Sequence, residues 1–319
     1  MKGYKAFNKG LVCRGKRYAE NTVFEEEDAE ICRSGMHFCK NPLDVLDYYP
    51  LIDNEGNVTE FAEVEALDDV KTNDGKKFCT KKLKIGAKLS LWQFIKASFD
   101  VAYQNIKSQV EVSESTRFAG DNNAKLIGGG YAKLVGSNYA ELIGGGCAKL
   151  AGGDCAKIVG GNGAKLAGGN GATIIGDDNT DLAGGDCAKI VGGNNATLAG
   201  GDCATLAGGK YAKLIGGDCA TLAGDNNAKL IGGGYAKLVG SNYAELIGGG
   251  CAKLAGGYDA IIVGDNGSVA KGKKGSIIVL VERNDNMNIV NFKAVQVDGE
   301  GIKEDVLYKL ENGEFVEVE

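Results

Sequence analysis

Eighteen consecutive eight-residue units run without insertion from Asn123 to Asn266. Almost every one reads x-Ala-x-Leu/Ile-aliphatic-Gly-x-x, as in Cys155-Ala156-Lys157-Ile158-Val159-Gly160-Gly161-Asn162. A gapless period this short means that one small unit stacks on itself into a one-dimensional solenoid. Glycine at the sixth place, and often the seventh, supplies most of the chain's 51 glycines. That excludes helix, because Gly costs about 1 kcal/mol against Ala in a helix interior. Between the glycine corners, Ala at the second place and Leu or Ile at the fourth give the period-two alternation of a strand with one buried face. The third place, Lys, Thr, Glu or Asp, belongs outside.

The fifth place alternates large and small over Ile143, Ala151, Val159, Ala167, Ile175, Ala183, Val191 and Ala199. If facing strands fill one shared volume, a large group opposes a small one. The alternation then predicts a β-helix with two octads, 16 residues, in each turn. The phase slips after Ala199 and Ala207. Residues 121–153 and 225–257 are identical and lie 104 positions apart, thirteen octads, so the second copy is expected on the opposite face. With strands spaced by ~4.8 Å, nine turns make a rod on the order of 40 Å long. Open ends would expose unpaired strand edges, so caps should flank the rod.

The fold class expected is therefore all-β dominated. A β-solenoid over 113–267 follows an α+β N-terminal cap domain over 1–112 and precedes a small β C-terminal cap over 268–319. In the first segment, strands are predicted near Tyr4 to Phe7, Val12 to Tyr18, Met36 to Phe38, Glu60 to Ala66 and Lys81 to Ile85. A short helix is predicted from Pro42 to Tyr48 with Asn41 as its cap. A longer one is predicted from Ser90 to Ile106, with Leu91, Ile95, Phe99 and Ala102 as its apolar stripe. After Gly267 the octad decays into four predicted strands, at 275–282, 288–297, 306–310 and 314–318.

The net charge is −6 and both signs are spread along the chain, so neither a basic nucleic-acid tract nor a strongly acidic surface is present. No apolar run follows Met1-Lys2-Gly3-Tyr4-Lys5, and none approaches a membrane span. The ten cysteines then point to free thiols in a reducing bacterial cytoplasm, with a virion part as the other setting. No nucleic acid, membrane or cofactor is expected. The identical exposed faces favour a homodimer.

Three constellations bear on function. Cys187, Cys203 and Cys219 hold the first octad place at a spacing of 16 and should stack as a thiol ladder. No CxxC or Cys/His cluster accompanies them, and zinc wants four convergent ligands, so small residues beside a corner are the simpler reading. Lys125, Lys133, Lys149, Lys157, Lys165, Lys189, Lys213, Lys229, Lys237 and Lys253 hold the third place. They form a candidate interaction surface, or else simply keep a regular β surface from pairing with another. The Gly-Gly-Asp and Gly-Gly-Asn corners are similar to calcium-binding β-rolls, but those repeat every nine residues. The period is similar to that of ice-nucleation repeats, yet Thr173, Thr197, Thr205 and Thr221 make no long row. No metal is expected, and the single histidine, His37, reads as a packed strand residue.

At Lys2-Gly-Tyr-Lys-Ala-Phe7, Cys13-Arg14-Gly15, Ser34-Gly-Met-His-Phe-Cys39 and Asn41-Pro-Leu-Asp-Val-Leu-Asp-Tyr-Tyr49 the chain resembles a family of phage and prophage proteins. Gly275-Ser-Ile-Ile-Val-Leu-Val, Leu307-Tyr-Lys-Leu310 and Asn312-Gly-Glu-Phe-Val316 extend the likeness to the far end. The resemblance implies an N-terminal domain, octad repeats and a β cap, with a phage or mobile-element origin, and supplies no activity. Octads in such relatives are richer in Ser, Thr and Asn, so surface properties do not carry over. The order Arg14-Gly15, Gly35-Met-His-Phe, Asp44 to Tyr49 also resembles that of ADP-ribosyltransferase folds, which would require Glu60, Glu63 or Glu65 as the glutamate that holds NAD.

The expected function is thus non-catalytic: a solenoid binding a host or virion protein, such as a host defence or regulatory protein. The alternatives are an ADP-ribosyltransferase-like enzyme and a structural part of a virion.

Overall fold

The computed structural model describes residues 1–53, 57–107 and 117–318. The chain divides into two compact units, Met1–Gln104 and Asn105–Glu319.

The first unit is built on a seven-stranded antiparallel sheet. Its strands are β1 (Lys2–Phe7), β4 (Val23–Glu25), β5 (Met36–Cys39), β6 (Glu60–Ala66), β7 (Val70–Thr72), β8 (Lys77–Thr80) and β9 (Lys82–Leu89). They lie in the order β4-β9-β6-β1-β5-β8-β7. Phe7, Met36, Phe38, Val64, Leu83 and Ile85 form the core beneath the sheet. Helix α1 (Leu91–Lys107) stacks Phe94 on Phe61 with ring centroids 3.9 Å apart, and Ile95 is buried beside it. The stripe positions Phe99 and Ala102 lie outside the residues whose side chains are described.

Two sequence expectations change here. The single strand predicted over Val12 to Tyr18 is a tight hairpin of β2 (Val12–Cys13) and β3 (Lys16–Arg17). Arg14 and Gly15 turn it at φ 50° and 78°, the left-handed pair that a two-residue hairpin loop needs. The short helix is a 3-10 segment, Pro42–Asp47, and the Asn41 amide donates to Asp44 Oδ2 rather than capping it.

The second unit contains a β-solenoid of about 10 turns over residues 117–280. Each 16-residue turn contributes one strand to each of two parallel sheets, as in the pairings Lys133↔Lys149↔Lys165 and Glu141↔Lys157↔Thr173. Sheet I begins with Arg117–Gly120, Lys133–Gly136 and Lys149–Ala151, and sheet II with Lys125–Ile127, Glu141–Gly144 and Lys157–Gly160. The duplicated segments fall on opposite sheets, as their odd octad offset requires: Lys133–Gly136 is in sheet I and Lys237–Gly240 in sheet II.

The core between the sheets consists of the second and fourth octad places, from Ala132 and Leu134 through Ala260 and Ile262. This corrects the packing reason for the two-octad turn. Strand alternation turns the fifth place away from that core, whether exposed, as Val135 at 54% and Ile215 at 49%, or buried, as Ile143 and Val159. The large/small alternation therefore sorts side chains between two outer faces, while Ala, Leu and Gly set the thickness of the interior.

The far end closes in antiparallel fashion. Ile277–Arg283 pairs with Ile289–Gln296 to finish sheet I, and Val269–Lys271 pairs with Tyr308–Glu311, then Glu314–Glu317, to finish sheet II.

Candidate functional site

The corners explain most of the octad's polar residues. At each corner the first octad place takes left-handed backbone, whether Gly163 (φ 72°), Asn195 (56°), Tyr211 (60°) or Cys203 (56°). Asn tolerates this conformation and Gly costs nothing there, whereas Tyr and Cys carry a steric cost. The corner is over-determined by two hydrogen bonds to the next turn. Cys203 N donates to Asp218 O at 2.8 Å, and Asp218 N donates to Asp202 Oδ1 at 2.9 Å. The eighth place repeats this ladder along both edges, from Asn138 through Asp154, Asn170, Asp186, Asp202 and Asp218 on one, and through Asp178 and Asn194 on the other.

The seventh-place glycine belongs to the same ladder. A Cβ at Gly217 would lie 2.1 Å from Asp202 Oδ1. Where Ser137 or Ser241 replaces it, the ladder bond lengthens to 3.2 Å. At two corners where the preceding turn offers no oxygen at the eighth place, after Lys210 and Gly250, an aspartate at the seventh place accepts from the amide instead: Asp225 from Asn226 N and Asp265 from Asn266 N. Asp154, Asn170, Asp186, Asn194, Asp202 and Asp218, at corners that looked like calcium-roll sites, thus each use Oδ1 to accept a backbone amide of the next turn. Among the described residues, no group of three or more His, Cys, Asp or Glu is arranged to hold a metal ion.

Cys187, Cys203 and Cys219 do stack in one corner column, which also contains Cys155 and Cys251, and all five are exposed. Desolvation, the neighbouring Cys219 and the adjacent aspartates push the Cys203 thiol up, so it stays protonated at neutral pH.

The ten lysines do not form one surface. Lys133, Lys149, Lys165, Lys213 and Lys229 project from sheet I, whereas Lys125, Lys157, Lys189, Lys237 and Lys253 project from sheet II. On sheet II, Lys125 and Lys157 flank Glu141 at 3.2 and 3.4 Å. On sheet I, Arg117, Lys133, Lys149 and Lys165 occupy consecutive strands in register, and among the described residues only the last meets an acid, Asp181 at 2.9 Å. Sequence reading missed Arg117 because it precedes the first octad.

A second feature lies wholly in the first unit. A cavity of about 510 Å³ opens beside β1, β5 and the β2–β3 hairpin, with Lys5, Arg14, Lys16, Arg33 and Lys77 in its lining and Glu26 as the one carboxylate. Tyr4, Tyr18, Tyr48 and Tyr49 supply aromatic walls. Lys5 is 5% exposed, donates from Nζ to His37 O at 2.8 Å and lies over the rings of Phe7 and Tyr18. Burial lowers its pKa, partly offset by the neighbouring Cys13 sulfur. Tyr49 Oη donates to Cys13 Sγ at 3.0 Å, and desolvation raises the Tyr49 and Tyr18 phenols.

His37 serves structure. Its Nε2 accepts from Cys32 N at 3.0 Å, and burial, with Lys5, Arg14 and Lys77 nearby, lowers its pKa to about 4. None of Glu60, Glu63 and Glu65 lines the cavity. Glu60 instead accepts from Leu11 N and pairs with Lys88.

Residues 1–97 match the profile of a domain of unknown function, DUF7666. No curated protein and no solved structure matched the chain.

Proposed function

We propose that the chain is a non-catalytic interaction protein whose solenoid presents sheet I to an acidic protein partner. The supporting observation is the in-register row of Arg117, Lys133, Lys149 and Lys165. Unit charges ~4.8 Å apart repel by about 1 kcal/mol per pair even at the dielectric of water. Solvent tolerates such a row, and a complementary anionic surface converts the repulsion into attraction. The neighbouring fifth-place residues are the small Ala119, Ala151 and Ala167 and one exposed apolar group, Val135. A rigid rod with a fixed charge spacing suits recognition better than reaction, since its polar corner groups are consumed in holding the turns.

With the phage or prophage origin that the sequence resemblance implies, the partner is a host-cell protein, such as a defence or regulatory protein, met in the cytoplasm. The test is affinity capture from a bacterial host lysate, followed by binding measurements with the captured protein. A Lys133→Glu/Lys149→Glu variant should lose the partner, whereas Lys237→Glu/Lys253→Glu on sheet II should retain it. Equal retention by both variants would rule out sheet I as the contact face.

A further inference from the structure

The first unit buries an ammonium group without an acidic partner. Lys5 makes no ion pair among the described residues, and the nearby Glu26 is taken by Lys16 at 2.9 Å. A buried charge is costly unless it is paired and hydrogen-bonded. Here one hydrogen bond is present, to His37 O, while no carboxylate lies within ion-pair distance among the described residues. Lys5 is buried yet also lines a cavity, where Arg14, Arg33 and Lys77 add further positive charge. That concentration occurs in a chain whose net charge is −6. The Arg14-Gly15 turn holds the guanidinium-bearing residue at the cavity in left-handed backbone, φ 50°, a strained placement.

The rest of the lining is aromatic. Tyr48 carries Lys77 Nζ at 4.2 Å from its ring centre, and burial raises the Tyr18 and Tyr49 pKa values, the Tyr49 hydroxyl donating to Cys13 Sγ. A volume of about 510 Å³ falls within the usual range for small-molecule sites.

We propose that this cavity binds a small phosphorylated ligand carrying a planar ring, of the mononucleotide class. The phosphate supplies the counter-charge for Lys5, Arg14 and Lys77, and the ring lies against the tyrosine walls. Guanidinium and ammonium groups are the usual partners of phosphate oxygens. This site is independent of the sheet I contact, so either can fail alone.

Isothermal titration of the full chain with AMP, ADP, inorganic pyrophosphate and adenosine tests it. AMP or ADP should bind saturably, pyrophosphate more weakly, and adenosine at least about tenfold more weakly than AMP, a loss of about 1.4 kcal/mol. Arg14→Ala and Lys77→Ala alter residues at the mouth and should each weaken AMP binding by about tenfold or more. Lys5→Met should abolish binding while leaving the melting temperature of the ligand-free protein unchanged or higher, because a buried charge is removed. Should Lys5→Met fail to fold, the two mouth variants decide alone. The proposal is overturned if no phosphorylated probe binds at about 5 mM, if adenosine binds as tightly as AMP, or if the mouth variants bind like the parent chain.

Discussion

At Asp202 a side chain substitutes for backbone: its Oδ1 accepts the amide of Asp218 in the next turn, and Asp186 does the same for Asp202. Asn accepts as well as Asp, so Asp202→Asn should be neutral or stabilising by thermal melting, the more so at low salt, because it dilutes three stacked carboxylates. Asp202→Ala should cost about 1 kcal/mol for the lost bond. Gly217→Ala should cost more, about 1–3 kcal/mol, because its new methyl meets that same oxygen. His37 gives a pH signature. Its folded pKa of about 4 lies below the ordinary 6.5, so the unfolded chain binds the extra proton. Its contribution is fully present above about pH 6.5 and is lost as pH falls toward 4. A His37→Gln variant should lack that part of the acid slope, which is at most about 1.4 kcal/mol per pH unit and smaller for this half-buried ring. Thiol chemistry reads burial directly: seven cysteines are exposed and three, Cys13, Cys39 and Cys79, are buried. A thiol-specific reagent should titrate seven groups in the native chain and the rest only after denaturation.

At the scale of the element, the strands of the solenoid were legible because Ala and Leu at alternate places leave one buried face, and the structure fills its core with those places. The C-terminal strands were equally clear, since apolar alternation and the Asn284-Asp285-Asn286 and Asn312-Gly313 turns bound them. What could not be read was the use of the polar places. A Gly-Gly-Asx corner has the composition of an ion site, and only the 16-residue register reveals that each oxygen meets an amide of the next turn. In the same way the thiol column was foreseen from spacing, but the division of the ten lysines between two faces, and the alignment of the Arg117 row, needed the register. In the first unit, the short strands β4, β7 and β8 escaped because they are half-polar and take their place from neighbours in the sheet. The cavity escaped because its residues come from six separated stretches. Leu206, fully buried at a fourth place, gives the element-level test: Leu206→Ala should cost about 2–5 kcal/mol by chemical denaturation, since neighbouring turns cannot collapse into the gap.

For the whole molecule, the turn rather than the octad is the unit of assembly. Deleting residues 187–202 removes one complete turn and keeps every later strand on its own sheet, so the shortened chain should melt cooperatively near the parent temperature. Deleting only 187–194 sends all later strands to the opposite sheet and gives the corners that span the cut, such as Asp186 with Asp202, new partners, so it should be less stable than the full-turn deletion. Everything proposed for the rod, including the basic row of sheet I, depends on contacts at a 16-residue spacing. Amide–amide nuclear Overhauser contacts in the deuterated protein measure that spacing. Cross-strand peaks are predicted to join residues 16 apart, as Glu141 with Lys157 and Lys157 with Thr173. Peaks joining residues eight apart, such as Glu141 with Lys149, would contradict the two-sheet solenoid and the contact face built on it.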